Sequence, residues 1–249
     1  MQVHEFARPY AAEGNGETGV LFLHGFTATP WTLRDWAART AEAGYRVSVP
    51  RLPGHGTSWR ELEVTDGRDW YAAAQRAFLD LRAECPTVFV AGLSMGGALA
   101  LRLAEHHADD VAGLILVNPA LTGNPELALI PWAKHLIRTV DSIGSSIRRP
   151  GVVEHSYPRT PLKAAHAMML LWGDVRARLD LVHCPILLLR SEHDPVVPAA
   201  SSEIVRRQVS SEEIVEVVLA DSAHVAPLDN DADAIVAHTL DFLTTHTRR

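Results

Sequence analysis

The sequence has two cysteines, two lysines and no long apolar run. Cys85 and Cys184 each precede a proline and offer neither a disulfide framework nor metal-ligand spacing, so we expect reduced packing residues. The net charge is −7 and no Lys/Arg block exceeds a pair, which argues against nucleic acid as a partner. No run of 18 apolar residues occurs and residues 1–19 lack a signal-like stretch, so we expect no membrane span and a cytoplasmic protein.

Hydrophobic residues make up 47% of the 249 residues and charged residues 21%, the balance of a globular protein. Short apolar runs predict strands at 20–23, 45–49, 87–91, 111–117, 186–189 and 214–219. Helical periodicity predicts helices at 31–43, 69–83, 96–106, 199–208 and 232–243. Since the strand runs are apolar throughout and alternate with helices, we predict an α/β fold: a mostly parallel sheet, buried on both faces by helices.

Residues 119–176, here called the inserted segment, interrupt this alternation and show no strand signal. The first of two predicted helices has an apolar face made of Trp132, Leu136, Ile137, Val140 and Ile143. The second has an apolar face made of Leu162, Ala165, Met169 and Trp172. These faces either seal against the rest of the chain or roof an apolar pocket. We therefore predict a core of residues 1–118 and 177–249 and a helical insertion between them.

The sequence Gly-Leu-Ser-Met-Gly at 92–96 follows a predicted strand and precedes a predicted helix. A serine held in a tight turn between strand and helix presents its hydroxyl above the sheet, and the flanking glycines leave room for the strained backbone. An ordinary turn serine is the alternative. The placement favours Ser94 as a nucleophile.

A nucleophilic serine needs a base and an acid that orients the base. Of the 13 histidines, His224 lies in a short loop directly after the last predicted strand, at the carboxyl edge where open α/β sheets build their sites. Asp194 follows the preceding predicted strand and is our prediction for the acid, with Glu192 as the alternative. We predict that His224 is the base.

A tetrahedral intermediate needs two backbone donors for its oxyanion. The N–H of Met95, directly after the serine and at a helix start, is the first expected donor. The second is the N–H of Phe26, in the loop after the first predicted strand. The alternative for Phe26 is a plain hydrophobic loop residue.

Several short motifs resemble one group of proteins, and they span nearly the whole chain. They are residues 23–27 (LHGFT), 53–56 (PGHG), 92–97 (GLSMGG), 193–194 (HD) and 222–225 (SAHV). The chain is similar to the bacterial monoacylglycerol lipase and carboxylesterase group of the α/β hydrolases. The resemblance implies a serine hydrolase of carboxylic esters, acting on monoacylglycerols or on short to medium chain acyl esters. It also implies a core built on a central sheet of eight strands, a helical cap formed by the inserted segment, and neither metal nor cofactor.

The resemblance also implies roles for two further residues. Glu154 lies where these lipases carry a cap carboxylate that binds the glycerol hydroxyls, although a solvated surface glutamate is the alternative. His55 resembles a loop histidine that supports the site without belonging to the triad.

Other functions use the same fold, because fold does not fix function. A thioesterase, a proline-type aminopeptidase and a weakly active ligand receptor stay open as alternatives. Relatives with an aspartate nucleophile are excluded by Ser94, and a metal-dependent hydrolase is disfavoured because no H-E-x-x-H motif occurs.

The inserted segment differs in charge from the rest of the chain. It contains seven Lys and Arg residues against four Asp and Glu residues, a net charge of +3, while the whole chain carries −7. Trp132 and Trp172 lie on its predicted apolar faces. This composition suits transient contact with an anionic lipid interface, and simple solvation of the charges is the alternative.

Overall fold

A seven-stranded sheet runs through the centre of the protein, whose computed structural model describes residues 3–14, 16–142 and 146–247. The strands of this sheet are β1 (Tyr10–Ala12), β2 (Thr18–Leu23), β3 (Arg46–Val49), β4 (Thr87–Leu93), β5 (Val111–Val117), β8 (Ile186–Ser191) and β9 (Ile214–Leu219). Two shorter strands, β6 (Thr139–Asp141) and β7 (Arg159–Pro161), form a separate antiparallel pair. The sheet order is β1-β3-β2-β4-β5-β8-β9, and β1 is its single antiparallel member.

Helices cover both faces of this sheet. They are α1 (Trp31–Glu42), α2 (Trp59–Leu62), α3 (Gly67–Glu84), α4 (Met95–His106), α5 (Ile130–Ala133), α6 (Leu162–Arg176), α7 (Ala200–Gln208) and α8 (Ala232–Thr247). Helix α3 begins with a capping box, in which the side chains of Asp66 and Asp69 each accept a backbone N–H of the other residue. Short 3-10 helices complete the connections, among them Ala226–Leu228 just before α8.

The central strands are buried on both faces, as their continuous apolar runs predict. In β4, Val88 and Val90 pack into the core on one side of the sheet, whereas Phe89 and Ala91 pack into the core on the other. Burial of each large side chain contributes about 1.5–3 kcal/mol, so both cores stabilise the sheet and fix its register. The order of parallel strands and covering helices confirms the predicted α/β fold.

Three details of the sheet differ from the sequence-based expectations. Strand β9 lies at an edge, and Val215 and Val218 are 43% and 49% exposed, so this strand is not buried on both faces. Strand β1 was not predicted, because three residues are too few to show a period. The described residues form seven strands in the central sheet, not the eight that the resemblance implies.

The first part of the inserted segment contradicts the prediction of a helix over 132–143. Helix α5 ends at Ala133 and the chain enters β6 at Thr139, so the expected apolar stripe does not exist as a helix face. Trp132 is 79% exposed and Leu136 is 91% exposed. Ile143 lies outside the described residues.

Contacts distant in sequence accompany this difference. The Arg138 guanidinium makes a bidentate ion pair with the buried Glu63 carboxylate, with Nε–Oε1 and Nη2–Oε2 distances of 2.9 and 2.6 Å. The guanidinium also lies 5.0 Å from the ring centroid of Trp59. These contacts hold residues 138–141 in an extended path beside β7, and tertiary interactions override the local helical period.

The second predicted helix of the inserted segment is present as α6. Cys85 and Cys184 are both free thiols, as expected. Across residues 3–14, 16–142 and 146–247, no helix combines the length and apolarity needed to cross a bilayer.

Candidate active site

Ser94 occupies the sharp turn between β4 and α4. Its backbone has φ 55° and ψ −118°, a conformation that residues other than glycine rarely adopt. A Cβ atom on Gly96 would lie 1.9 Å from the carbonyl oxygen of Leu23, and one on Gly92 would lie 2.3 Å from the carbonyl oxygen of Gly96. The turn is therefore possible only because both neighbouring positions lack a side chain.

Backbone hydrogen bonds hold this strained turn in place. The Ser94 N–H donates to the carbonyl of Val117 at 3.1 Å, and the Ser94 carbonyl accepts from Gly97 at 2.9 Å and from Ala120 at 3.1 Å. These bonds tie the turn to the end of β5. Ser94 thus faces a cavity at the carboxyl edge of the sheet.

Asp194 and His224 lie at the same edge and bind each other directly. Asp194 Oδ2 lies 2.7 Å from His224 Nδ1, and both side chains are more than 90% buried. The other carboxylate oxygen, Oδ1, accepts the N–H groups of Val196 and Val197 at 2.7 and 2.9 Å. Because an ionised carboxylate only accepts, Nδ1 carries the proton and Nε2 is left as the basic nitrogen.

Glu192 does not make this contact with His224. Its side chain is exposed, as is that of the neighbouring His193. The structure thus brings His224 together with Asp194, the residue that the sequence favoured, and both His224 and Ser94 line one cavity.

Asn118 was missed by the sequence analysis and supports the loop of His224. This buried residue has a φ of 44°, and its Nδ2 donates to the carbonyl of His224 at 2.9 Å. Its Oδ1 accepts the N–H of Ser191 at 2.7 Å, while the Ser191 hydroxyl donates to the carbonyl of Ala223 at 2.7 Å. The available signal was an asparagine and a serine at the carboxyl ends of two neighbouring strands.

The loop of Phe26 packs directly against the serine. A Cβ atom on Gly25 would lie 3.5 Å from the Cβ of Ser94, and Phe26 lines the same cavity. Met95 is the first residue of α4, so its N–H has no partner within the helix. The two expected oxyanion donors therefore belong to the two backbone segments that flank Ser94.

Two buried histidines support the loop of Phe26 from below. His24 Nδ1 donates to the carbonyl of Gly25 at 2.9 Å, and its Nε2 accepts the N–H of Leu52 at 3.2 Å. Burial lowers the pKa of His24 to about 4. His55 stacks edge-on against His24 and Phe26, and burial lowers its pKa well below the usual value. Both rings are neutral at physiological pH, and His55 supports the site without touching His224.

The cavity above Ser94 has a volume of about 290 Å³. Its apolar lining includes Leu127, Ile130, Leu162, Ala165, Met168, Met169, Trp172, Val196 and Val197. Its polar lining includes Thr27, Thr122, Asn124, Glu126, Asp141, Ser142, Ser146, Glu154, Ser156 and Thr160. The apolar face of α6 thus lines a pocket, as the second of the two interpretations of this face predicts. Trp172 lines this pocket and is buried, so it does not lie on an outer surface.

Glu154 is half-buried and is one of the polar residues that line this cavity. It accepts a hydrogen bond from the hydroxyl of Thr32 at 3.3 Å. Burial raises the pKa of the Glu154 carboxyl, an effect opposed by His224 and by hydrogen bonds from Thr32 and Ser156. Within the described ranges, no group of three or more His, Cys, Asp or Glu side chains is placed to hold a metal ion.

The sheet order and the strained serine turn after its central strand β4 define an α/β hydrolase. Residues 15–231 match the protein-family model described as "Serine aminopeptidase, S33". The chain belongs to that family.

Several relatives cover nearly the whole chain. A thermostable monoacylglycerol lipase from Bacillus sp. (strain H-257) is 41% identical over 96% of this chain and 95% of its own length. A carboxylesterase from Bacillus subtilis (strain 168) is 25% identical over 95% of this chain and 96% of its own length. A solved structure from work on LipS and LipT, two metagenome-derived lipolytic enzymes, superposes with a TM-score of 0.95 at 36% identity, covering 98% and 100% of the two chains.

Proposed function

We propose that this chain is a serine esterase that cleaves carboxylic esters through an acyl-enzyme, with monoacylglycerols as the favoured substrates. The observation that carries the proposal is the pairing of His224 with Asp194 at a cavity that also exposes Ser94. The names of the relatives support ester cleavage and, for the relative at 41% identity, monoacylglycerol as the substrate.

In the proposed mechanism the Ser94 oxygen attacks the ester carbonyl carbon while its proton moves to Nε2 of His224. Asp194 holds the imidazole in the tautomer that accepts this proton and stabilises the imidazolium. The N–H groups of Phe26 and Met95 donate to the oxyanion. The C–O bond to the alcohol then breaks, and His224 returns the proton to the leaving alcohol. Water, deprotonated by His224, then attacks the acyl-enzyme. As the second intermediate collapses, the bond to Ser94 breaks, His224 returns the proton to the Ser94 oxygen, and the acid is released.

The cavity supports a substrate that has one apolar chain and a polar alcohol. We propose that the acyl chain lies along the wall formed by α6 and that the glycerol lies beside Glu154. Because burial raises the pKa of Glu154, its neutral form is favoured more than in water. A carboxyl oxygen accepts a hydrogen bond from a glycerol hydroxyl whether or not the group is protonated.

We further propose that the inserted segment is a cap that touches lipid aggregates. Four apolar side chains of residues 129–137 are exposed, with exposed fractions of 68% for Leu129, 79% for Trp132, 91% for Leu136 and 49% for Ile137. We call these four residues the apolar rim. Exposed apolar side chains grouped within one short stretch favour an interaction surface there, and Ile130, within the same stretch, lines the cavity.

Replacement of the proposed triad tests the esterase assignment. Ser94→Ala and His224→Ala should each lower kcat on a soluble chromogenic ester by on the order of 10⁴- to 10⁶-fold with an unchanged circular dichroism spectrum. Ser210→Ala, a serine outside the cavity, serves as the control and should retain full activity. Near-normal turnover by either triad variant would refute the proposal.

A second experiment tests the role of Glu154. Glu154→Ala should lower kcat/KM for a monoacylglycerol about tenfold more than for the ethyl ester of the same acid, since one hydrogen bond to a carboxyl group contributes about 1–2 kcal/mol. Glu126→Ala changes an exposed carboxylate of the same cavity and serves as the matched control. Equal losses on both substrates would rule out the glycerol contact.

A further inference from the structure

The carboxylate of Asp229 joins the inserted segment to the loop of His224. Asp229 is fully buried directly after the 3-10 helix Ala226–Leu228. Its Oδ2 accepts the N–H groups of Ala223 and Arg148, each at 2.8 Å. Its Oδ1 accepts the N–H groups of Arg149 at 2.8 Å and Asn230 at 2.9 Å. One side chain therefore binds the backbone of two segments that lie 75 residues apart in the sequence.

Ser146 adds a second set of contacts between the same two segments. Its carbonyl accepts the N–H of Val225 at 3.1 Å, and its hydroxyl accepts the N–H of His224 at 3.4 Å. The guanidinium of Arg148 also donates to the carbonyl of Ala220 at 3.1 Å. The backbone on both sides of His224, and that of His224 itself, is thus hydrogen-bonded to residues 146–149 or to Asp229.

The bond between His224 and Asp194 does not fix the imidazole by itself. A single Nδ1–Oδ2 contact allows the ring to pivot, and the direction of Nε2 depends on where the backbone of residues 223–225 lies. Asn118 holds one carbonyl of this loop from the sheet side. Asp229 and Ser146 accept its N–H groups, and Ser146 belongs to the inserted segment.

We propose that Asp229 is a positioning residue that aligns His224 by binding its loop to residues 146–149. The inference rests on the proposed function of His224 as the base. Placement of residues 146–149 and placement of the imidazole are then coupled through these hydrogen bonds.

The most selective variant is Asp229→Asn, because it keeps the size of the side chain. An amide has one oxygen in place of two, and its NH₂ group would face N–H groups that need an acceptor. About half of the four backbone bonds are therefore lost. Asp66→Asn is the matched control, since Asp66 also accepts two backbone N–H groups, from Arg68 and Asp69, but at the exposed start of α3.

The experiment compares kcat and KM on a soluble short-chain ester for the wild type, Asp229→Asn, Asp66→Asn and Ser146→Ala. For Asp229→Asn we expect kcat to fall by on the order of 10- to 100-fold while KM changes by less than about threefold, the result of a misaligned base at an intact binding site. Asp66→Asn should keep kcat within about twofold. Ser146→Ala should lower kcat by a few-fold at constant KM.

The outcomes separate the inference from the proposed function. If His224→Ala is inactive while Asp229→Asn and Ser146→Ala keep full kcat, the positioning role is wrong and the base assignment stands. If His224→Ala is active, His224 is not the base, and the proposed function is wrong independently of Asp229. An equal loss in Asp66→Asn would also overturn the inference, because it would mean a general loss of stability. Should Asp229→Asn not fold, Ser146→Ala decides: a fall in kcat at constant KM supports the coupling, and an unchanged kcat overturns it.

Discussion

His24 and His55 lie side by side beneath the loop of Phe26, with ring centroids 5.0 Å apart. Both bonding atoms of His24 are used, one as a donor to the carbonyl of Gly25 and one as an acceptor from Leu52. Only the neutral imidazole can accept at Nε2, so protonation breaks a buried bond. The loop that flanks Ser94 is therefore sensitive to acid.

The pKa of His24 gives a prediction for stability. The unfolded chain binds this proton near the usual pKa of 6.5, whereas the folded chain binds it only near 4. Unfolding takes up a proton between these values, so stability falls as the pH drops below about 6.5. From pH 7.5 to pH 5 we expect His24 to lower the free energy of unfolding by about 2 kcal/mol.

Urea unfolding at the two pH values measures this loss. In His24→Gln, whose amide oxygen can still accept from Leu52, the pH dependence should shrink by about 2 kcal/mol. His183→Gln removes an exposed histidine and should leave the pH dependence unchanged. An identical pH dependence in wild type and His24→Gln would contradict the assignment of a buried neutral ring.

Single residues of the site differ in how well the sequence revealed them. Ser94 was indicated by its glycine-flanked motif after a predicted strand, and Asp194 and His224 by loops after two later predicted strands, with Glu192 left as the alternative acid. Asn118 and Asp229 act on the backbone of a loop that is distant in sequence, and no local pattern marks such contacts. Glu154 was indicated by resemblance only.

At the scale of elements, glycines give a matched pair of predictions. A Cβ atom on Gly96 would lie 1.9 Å from a backbone oxygen, whereas one on Gly173, in α6, meets nothing within 4 Å. Gly96→Ala should prevent formation of the serine turn, with loss of activity and a destabilisation above about 3 kcal/mol. Gly173→Ala should instead stabilise the protein by about 0.5–1 kcal/mol, because alanine favours the helix. Thermal unfolding of both variants decides, and stabilisation by Gly96→Ala would contradict the described turn.

Helices and strands that are stabilised by burial of many apolar side chains were predictable from the sequence. Segments held by a few specific polar contacts were not. The central strands and the helices α1, α3, α4, α7 and α8 follow from apolar runs and helical period because burial supplies their stability. The path from Ala133 into β6 is held by pairing with β7 and by the ion pair between Arg138 and Glu63, whose partners lie 75 residues apart. The periodic pattern of residues 132–143 carried no information about that pair.

At the scale of the whole molecule, the apolar rim predicts a difference between dispersed and aggregated substrates. Trp132→Ser combined with Leu136→Ser should lower hydrolysis of monoacylglycerol in anionic vesicles by on the order of 100-fold or more where vesicle binding limits the rate, since insertion of each side chain contributes about 1.5–3 kcal/mol. Hydrolysis of a soluble short-chain ester should not change. Leu79→Ser on α3 removes an exposed leucine elsewhere and serves as the control. Equal vesicle rates for the rim variant and the control would reject lipid contact.

The charge of the inserted segment is a weaker indication of lipid contact than its exposed side chains. Arg138 is paired with Glu63, and the guanidinium of Arg148 donates to a backbone carbonyl. Lys134 contacts His166. Part of the net positive charge is thus paired with groups of the protein itself.

The cytoplasmic location and the division into core and cap stay predictions.

The most direct measurement is the mass of the intact protein after reaction with a fluorophosphonate, followed by mapping of the modified peptide. Phosphonylation of a serine requires an activated hydroxyl with a base beside it. We predict one adduct per chain, located on Ser94, with its formation slowed by on the order of 10³-fold or more in His224→Ala. Stoichiometric labelling that persists in Ser94→Ala, or an adduct on another residue, would contradict the assignment of Ser94 as the nucleophile.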